Sequence, residues 1–367
     1  MGLTNLPGRM KCVMATRFGV AKEVLEMVDD VPVPRVSRGS GEMLVQVKAC
    51  SMTPGDVRML SGEADLVKKP SQFPYIPGLD IAGVVVEIDP AEDEKPESER
   101  KFRVGDEVVG TWKLFGVGGM AQYALVKMEL SALKPQILSF VEAASLCNSA
   151  VYSMVGVEGA QVEKGSRVMI LGGSGGLGTA LVQLARRAGA TYIACTSTQV
   201  DLMKSLGVDC AIDYTKEAWW KRPEFAQNPF DVVFDCAEGL SAWNNILASG
   251  VLKSGKLGGK HYAYVQKEWR IVMHHWYDMI IYMLPLLGRI IMTRIDTSKP
   301  RYVFPIILGE PNGQRIKRLF DIVQEGGLKA VLDSRSPHPF TEEGVREAFT
   351  IHENHRGHGK IVVEIAK

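Results

Sequence analysis

The fold is decided by residues 168–178, VMILGGSGGLG, and by the segment TALVQLAR that follows at 179–186. An apolar β-branched run, a glycine-rich turn and an alanine- and leucine-rich stretch predict a strand, a tight turn and a helix. Glycine lets the backbone approach a bound group closely, and the N–H groups at the start of a helix attract negative charge. The pattern predicts that a dinucleotide pyrophosphate binds at Gly172, Gly173, Ser174, Gly175, Gly176, Leu177 and Gly178.

A flexible glycine turn between two core elements is the alternative interpretation of this loop. Nucleotide binding is favoured because the glycines lie between a strand and an alanine-rich helix, and because a second short strand is expected at 192–195 (YIAC). Parallel sheets bind dinucleotides at a turn of this kind.

The end of the second predicted strand indicates which nucleotide binds. In NAD-binding folds, a carboxylate about 20 residues beyond the glycines holds the ribose 2′-hydroxyl. This chain has hydroxyl side chains there, and Ser197 and Thr198 can donate to a 2′-phosphate. No acid occurs between the end of this strand and Asp201, and the nearest base, Lys204, is expected on the following helix. NADPH is therefore favoured over NADH.

The composition bounds the class of protein. With 367 residues, 46% of them apolar, the chain can form two domains, since a domain has about 100–200 residues. A formal net charge of +1 gives no electrostatic basis for binding nucleic acid. The six cysteines are scattered without a C-x-x-C pair, and residues 1–6 lack the apolar core of a signal peptide. We therefore expect reduced thiols in an intracellular compartment, either cytoplasmic or organellar (plastid or mitochondrion).

Strand and helix patterns divide the chain into two domains. Short apolar runs broken by Pro and Gly predict an all-β, barrel-like domain at 1–150. Strands alternate with helices at 151–303, which predicts a parallel sheet covered by helices on both faces. The segment 304–367 should return to the first domain and complete it. The predicted fold class is therefore α/β, with a β-barrel domain and a doubly wound domain.

Residues 280–292, IIYMLPLLGRIIM, are the most apolar stretch of the chain. Pro285 and Arg289 interrupt it, and it is shorter than the ~20 residues that span a bilayer. A buried helix or a subunit interface, as in a homodimer, is favoured over contact with a membrane surface, which stays open as a second hypothesis.

Five segments occur in an order that is typical of one family. They are ACSMTPGD at 49–56, PGLDIAG at 77–83, VGDEV at 104–108, GGMAQY at 118–123 and GKIV at 359–362. With the glycine loop, they resemble the medium-chain dehydrogenase/reductase superfamily, and within it the zinc-free quinone oxidoreductase and enone reductase branch. The resemblance implies a GroES-like catalytic domain and a Rossmann cofactor domain.

The zinc ligands of other branches are missing from the sequence. GLD at 78–80 stands where zinc-dependent relatives have G-H-E, the loop 90–103 has no cysteine, and no His precedes His261. No tetrahedral metal site of the usual kind is therefore expected. The resemblance implies hydride transfer from NADPH to an acceptor that is already electron-poor, such as a quinone or an α,β-unsaturated carbonyl compound.

The resemblance also implies roles for residues near the acceptor. Thr53 replaces a family Asn near the nicotinamide ribose, or it is only a turn residue. Tyr75 and Tyr152 are candidates to line the substrate cleft, with a structural role as the alternative. Met52 and Met59 stand where some relatives have tyrosines, which suggests an apolar acceptor pocket without an obvious proton donor.

At the other end of the cofactor, Tyr214 matches a family tyrosine that contacts the 2′-phosphate or the adenine; capping the core is its alternative role. Arg356 and Lys360 can direct positive charge towards the cofactor phosphates, or they are ordinary surface bases. Asp80 and Asp106 are interpreted as structural turn residues rather than as an acid/base pair. Asp56 is likewise interpreted as a turn or cap residue.

Two alternative functions share this fold. An enoyl thioester reductase would use the same hydride step on a different acceptor. A non-catalytic NADPH-binding protein, acting as a redox sensor or scaffold, would keep only the nucleotide site.

Overall fold

The computed structural model describes residues 6–63, 65–66, 70, 72–112, 118–255, 258–265, 272–305 and 311–366. The chain forms two compact units. Unit 1 consists of Met1–Val151, Pro311–Gly326 and Ala330–Lys367, and unit 2 of Tyr152–Glu310 and Gly327–Lys329.

The chain returns from unit 2 to unit 1 at a later residue than the sequence predicted. Phe304, where the closing segment was expected to begin, packs with Trp243 and Tyr302 in a core cluster of unit 2. The chain enters unit 1 only at Pro311. The apolar ring of Phe304 explains the shift, because it is buried in the helical layer beside the parallel sheet.

Unit 1 is predominantly β-structure. Its strands are β1 (Arg9–Ala15), β2 (Leu25–Pro32), β3 (Glu42–Ser51), β4 (Asp80–Ile88), β5 (Glu107–Thr111), β6 (Tyr123–Lys127), β7 (Ser131–Leu133), β14 (His338–Pro339) and β15 (Val362–Glu364). β1 and β2 form an antiparallel pair. The remaining strands form one sheet of order β14-β15-β3-β4-β5-β7, with β6 also pairing with β3.

The closing strand completes this sheet, as the sequence predicted. β15 pairs antiparallel with β3, and Val363 lies opposite Cys50. Both residues are fully buried, because each side chain enters the apolar core of unit 1. The end of the chain is therefore part of the unit that its beginning forms.

Unit 2 contains a parallel sheet of order β10-β9-β8-β11-β12-β13. Its strands are β8 (Arg167–Leu171), β9 (Tyr192–Thr196), β10 (Cys210–Ile212), β11 (Val232–Asp235), β12 (Lys260–Ala263) and β13 (Arg301–Val303). The strand order reverses between β8 and β11, and ligands of such sheets bind at the carboxyl ends of the strands at this point. The glycine loop follows β8 directly.

Helices connect the strands of both units. They are α1 (Ala21–Val24), α2 (Pro54–Ser61), α3 (Pro90–Asp93), α4 (Phe140–Ala160), α5 (Gly176–Arg187), α6 (Val200–Ser205), α7 (Pro223–Gln227), α8 (Leu240–Ser249), α9 (Trp276–Ile295), α10 (Gly313–Gln324) and α11 (Glu342–Glu353). By length and composition α4 could cross a bilayer, but 61% of its apolar window is buried in the protein, as in the core helix of a soluble protein.

The apolar stretch at 280–292 forms the middle of α9, which is not a buried helix as one of the two favoured interpretations predicted; the other, a subunit interface, stays a prediction. Tyr282, Leu286 and Thr293 are buried on one face, which packs on unit 2. The opposite face is exposed, and Ile281 and Leu284 are 62% and 67% exposed. Both faces are apolar, so the sequence pattern does not distinguish them.

Candidate functional site

The glycine loop is tied to the neighbouring strand by hydrogen bonds. Gly172 has φ +77°, a left-handed conformation in which glycine is favoured. Its N–H donates to Thr196 Oγ1 at 3.0 Å, and the N–H of Gly173 donates to the Thr196 carbonyl at 2.9 Å. Thr196 is the last residue of β9, so the turn after β8 is held against the end of β9.

The loop glycines serve different purposes. A Cβ on Gly178 would lie 2.3 Å from the Gly172 carbonyl oxygen, and one on Gly173 would lie 2.9 Å from the Cys195 Cβ. These two positions must be glycine for α5 and β9 to approach the turn. A Cβ on Gly175 meets only the Gly172 oxygen, at 3.5 Å, and its φ of −73° suits any residue. Packing of the fold therefore does not explain the glycine at position 175.

The N-terminus of α5 provides donors for an anion. Gly175 is the N-cap of this 12-residue helix and has no side chain that could cap it. The first N–H groups of a helix have no acceptor within the helix and carry the positive end of its dipole. An open position in front of unsatisfied donors fits a dinucleotide pyrophosphate.

The end of β9 presents one of the two predicted hydroxyls. Ser197 is 1% exposed, and its Oγ accepts a hydrogen bond from the Gln199 N–H at 2.9 Å. The prediction for Ser197 is corrected on this basis, because its hydroxyl lies inside the turn. Thr198 is exposed and remains the candidate for the 2′-phosphate.

Tyr214 follows β10, the strand next to β9. Its ring is 57% exposed, so the alternative role of capping the core is wrong. Two residues on, Lys216 extends a largely exposed side chain whose Nζ lies 3.0 Å from Asp213 Oδ2. Hydrogen bonds from Thr215, followed by Lys216, lower the pKa of Asp213. Lys216 is a basic residue four positions beyond the end of β10 that was not considered from the sequence; its signal was its position just after a strand expected beside β9.

A second loop borders the glycine turn at the end of β11. Asp235 is fully buried and accepts hydrogen bonds from the N–H groups of Ala237, Glu238 and Gly239 at 3.0, 2.7 and 2.7 Å. These bonds hold the turn that faces Gly172, whose Cβ would lie 3.0 Å from the Cβ of Ala237. A role for this aspartate was not predicted from the sequence.

In unit 1, Thr53 is bound within its own helix cap. Its N–H and Oγ1 both donate to Asp56 Oδ2, at 2.8 and 3.0 Å. Asp56 therefore has the cap role that was predicted for it, at the third position of α2. Thr53 is only 6% exposed. Its cap contacts are those of the turn residue that was considered as the alternative, and a role at the nicotinamide ribose stays a prediction.

Lys360 lies in the interior of unit 1, and the prediction that it reaches the cofactor phosphates is wrong. Its side chain is buried, and its Nζ donates to the Met52 carbonyl at 2.8 Å and to Ser149 Oγ at 3.2 Å. The ammonium also interacts electrostatically with the buried carboxylates of Asp80 and Asp56. These three charged groups form what we call the buried charge cluster.

Burial and charge act against each other in the buried charge cluster. Burial raises the pKa of Asp80 to about 7 and that of Asp56 to about 6, and Lys360 opposes both shifts. Thr111 Oγ1 donates to Asp80 at 2.7 Å and also favours its charged form. Burial lowers the pKa of Lys360. Asp80 and Asp56 are therefore both stabilised electrostatically by Lys360. Asp106 accepts from the Arg103 N–H, as a turn residue should.

Tyr75 and the two methionines belong to the core of unit 1. Tyr75 is 6% exposed, and its hydroxyl has no hydrogen-bond partner among the described residues. Burial, followed by the Asp56 charge, raises its pKa. Met52 and Met59 are buried in the same core cluster. Their burial fits a structural role; the predictions that Tyr75 lines the substrate cleft and that the two methionines line an apolar acceptor pocket stay predictions.

Two further candidates lie at less constrained positions. Tyr152 is partly buried on α4, and its carbonyl accepts from the Tyr264 hydroxyl at 3.1 Å. Arg356 is exposed after α11, and its carbonyl accepts from Arg335 at 2.9 Å. The roles assigned to both residues stay predictions. Among the described residues, no three His, Cys, Asp or Glu side chains come together as a metal site would require.

The buried charge cluster leads to a stability prediction. We expect Lys360→Met to lower the free energy of unfolding by about 3–5 kcal/mol, because two buried carboxylates lose their cation. Without the Lys360 ammonium, the pKa values of Asp56 and Asp80 in the folded protein rise further above those in the unfolded chain. The free energy of unfolding therefore falls as the pH rises from the unfolded pKa values through the folded ones. The deficit should therefore be larger at about pH 8 than at about pH 5 in urea unfolding.

Lys317→Met is the matched control for this variant. Lys317 lies in the same unit, but its side chain is 72% exposed and pairs with Asp321. Its replacement should cost about 0–1 kcal/mol at either pH. A Lys360→Met deficit that is independent of pH would contradict the assignment of the cluster.

Two known protein families match parts of the chain. Residues 39–136 match the alcohol dehydrogenase GroES-like domain, and residues 206–363 match the zinc-binding dehydrogenase family. Among solved structures, the quinone oxidoreductase from Coxiella burnetii has a TM-score of 0.72 at 23% identity, covering 97% of this chain and 99% of its own. A mycobacterial protein solved in complex with NADPH also has a TM-score of 0.72, at 20% identity, covering 97% of this chain and all of its own.

Curated relatives match over nearly the whole chain. A 2-methylene-furan-3-one reductase from Solanum lycopersicum is 30% identical over 370 residues, which are 98% of this chain and 80% of that protein. The chloroplastic NADPH-dependent alkenal/one oxidoreductase from Arabidopsis thaliana is 29% identical over 363 residues, with the same coverage. The chain therefore belongs to the medium-chain dehydrogenase/reductase superfamily, in its zinc-free quinone oxidoreductase branch.

Proposed function

We propose that this protein is an NADPH-dependent reductase that transfers hydride to a quinone or to an α,β-unsaturated carbonyl compound without a metal ion. The observation that carries the proposal is the glycine loop, in which Gly175 leaves open space before the N-terminus of α5 although the fold does not need a glycine there. The names of the relatives support both the cofactor and the acceptor class.

The residues of unit 2 would hold the cofactor. The N–H groups at the start of α5 bind the diphosphate, and the open position at Gly175 lets it approach. Thr198, Tyr214 and Lys216 follow the neighbouring strands β9 and β10 and would bind the 2′-phosphate and the adenine. When bound, NADPH supplies the hydride, which is chemistry that side chains cannot provide.

The acceptor sets what remains for the protein to do. A quinone or an enone is already electron-poor, so it needs positioning rather than activation by an electrophilic ion. After hydride addition, the resulting quinol anion or enolate takes a proton from solvent or from a weak donor.

An enoyl thioester reductase is the second candidate function. A trans-enoyl reductase from Cordyceps militaris is 28% identical over 71% of this chain, and a crotonyl-CoA reductase from Streptomyces avermitilis is 32% identical over 55% of it. Both cover less of the chain than the quinone and alkenal relatives, which is why we place this function second.

We also propose that the protein works in a reducing compartment. All six cysteines are free thiols in the structure, and four of them are buried. Several plant relatives are named as chloroplastic, which supports an organellar location as one of the two alternatives.

The activity test uses the purified chain with NADPH and a panel of acceptors: a simple ortho-quinone, an α,β-unsaturated ketone and crotonyl-CoA. We expect oxidation of NADPH, followed by its absorbance, with the quinone or the ketone. Faster turnover of crotonyl-CoA would favour the thioester reductase. Tight binding of NADPH without oxidation by any acceptor would favour the non-catalytic alternative.

The pyrophosphate site is tested by Gly175→Asp. A Cβ fits the fold at this position, but the carboxylate would stand where the diphosphate binds. We expect the Kd for NADPH to rise at least about tenfold, or by about 1.4 kcal/mol, in a fluorescence titration.

The control for this variant is Gly8→Asp, at a glycine that also has open space around it but lies in unit 1. It should leave the Kd unchanged, and both variants should keep the circular dichroism of the parent protein. Unchanged affinity in Gly175→Asp would remove the diphosphate from this loop.

The choice of nucleotide is tested by Thr198→Asp. A carboxylate at the end of β9 repels a 2′-phosphate and accepts a hydrogen bond from a ribose 2′-hydroxyl. We expect the ratio of kcat/KM for NADPH to that for NADH to fall at least about tenfold. Thr198→Ser keeps the hydroxyl and should keep the ratio. If Thr198→Asp has the same ratio as the parent chain, the 2′-phosphate binds elsewhere.

A further inference from the structure

Helix α9 exposes an unusually apolar surface. Ten large apolar side chains along it are each at least 42% exposed. They are Trp276, Tyr277, Met279, Ile280, Ile281, Leu284, Leu287, Ile291, Met292 and Ile295, and we call them the α9 face. Soluble monomers rarely expose contiguous apolar patches of this extent unless the patch binds something.

The α9 face contains almost no charge. The structure describes every residue of this helix, and Arg294 is the one charged residue among its exposed positions. Asp278 and Arg289 lie on the flanks and are partly buried. A helix of 20 residues is about 30 Å long, so the face extends over a length comparable to that of a small domain.

The helix is held on unit 2 by its opposite face. Tyr282 and Leu286 are buried in a core cluster with Trp243 and Tyr302. Thr293 Oγ1 accepts from the Tyr302 N–H at 3.1 Å, which ties the last turns of the helix to β13. Because this inner face is packed, the α9 face stays outside and the helix cannot insert across a bilayer without leaving its unit.

Charge at the carboxyl end of α9 indicates what covers the face. Three exposed bases, Arg294, Lys299 and Arg301, occur within eight residues of sequence, against the single carboxylate of Asp296. In a chain with a formal net charge of only +1, this concentration is local. Basic side chains beside an apolar helical face are the combination that binds anionic lipid surfaces.

The amino end of α9 completes the pattern. Trp276 and Tyr277 are 67% and 46% exposed there. Tryptophan and tyrosine favour the interface between lipid and water, because each has an apolar ring with a polar group. The aromatic pair and the bases thus lie at the two ends of one apolar face.

A second copy of the chain would complement this surface less well. Two copies would each bring three exposed bases, whereas the carboxylates in and directly after α9 are those of Asp278 and Asp296. Asp278 Oδ2 already accepts from the N–H groups of His274 and His275 at 3.1 and 2.9 Å, and Asp296 pairs with Lys299 at 3.0 Å. Anionic lipid headgroups supply the negative charge that a copy lacks.

We propose that the α9 face docks on the surface of an anionic lipid bilayer. The helix lies in the plane of the interface, its apolar side chains enter the boundary between headgroups and acyl chains, and the bases of its carboxyl end contact the headgroups. This inference does not depend on the proposed reductase activity.

Cosedimentation of the full chain with vesicles tests the proposal. Phosphatidylcholine vesicles are compared with vesicles that also contain phosphatidylglycerol, at low and at high salt. We expect binding to the anionic vesicles to be at least about tenfold stronger than to the neutral ones, and to weaken in high salt. Equal binding to both kinds of vesicle would overturn the proposal.

Two variants locate the contact. Leu284→Glu places a charge at the centre of the α9 face and should reduce binding to anionic vesicles at least about tenfold. Ile137→Glu is the matched control, because Ile137 is 65% exposed in unit 1 and Leu284 is 67% exposed. It should bind as the parent chain does. An equal loss in both variants would overturn the assignment to α9.

Light scattering after gel filtration tests whether a second copy of the chain covers the α9 face instead. Suppose that the parent chain binds neither kind of vesicle and that Leu284→Glu has half the mass of the parent chain. This result would show that a second copy covers the α9 face, and it would overturn the proposal. Failure of a monomeric chain to bind anionic vesicles would overturn it equally. Circular dichroism and the Tm of each variant establish that it is folded.

Discussion

The close approach of α5 to the turn after β8 is the constraint on which the nucleotide site depends. A side chain on Gly178 would collide with the Gly172 carbonyl, and one on Gly173 would collide with Cys195. These glycines bring the start of the helix to the end of the strand, where the sheet reverses its order. Gly175 differs, because the fold has room for a side chain there. Two glycines thus build the loop, and the third leaves the open space in which we propose that the phosphates bind.

Unit 1 depends on a different kind of interaction. Lys360 precedes the closing strand, and its ammonium interacts electrostatically with the carboxylates of Asp80 and Asp56, which come from β4 and α2. Taking three charges out of water is costly unless each has partners, and here Thr53, Thr111, Met52 and Ser149 supply them. The cluster therefore links the two ends of the chain within one core, so the closing segment is part of the catalytic unit and not an appendage.

The features that could be predicted are those written in local sequence. The glycine loop, the parallel sheet and membership of the superfamily follow from short patterns and their order. Lys360 was misassigned because its carboxylate partners lie 280 or more residues away in sequence and nothing beside it indicates burial. Lys216 was missed because it is distant from the end of β9 in sequence, and only the pairing of β9 with β10 makes the ends of these two strands neighbours. The sequence left a buried helix and a subunit interface both open for α9, because both faces of the helix are apolar and periodicity cannot say which one packs.

The central claim is that hydride passes directly from NADPH to an electron-poor acceptor without an electrophilic ion. The most direct measurement uses NADPH that carries deuterium at the transferable position, with an α,β-unsaturated ketone as acceptor and a metal chelator present, and mass spectrometry of the product. We predict one deuterium on the β-carbon of the saturated ketone, at a rate that is the same with and without the chelator. A product without deuterium, or turnover that the chelator abolishes and zinc restores, would contradict it.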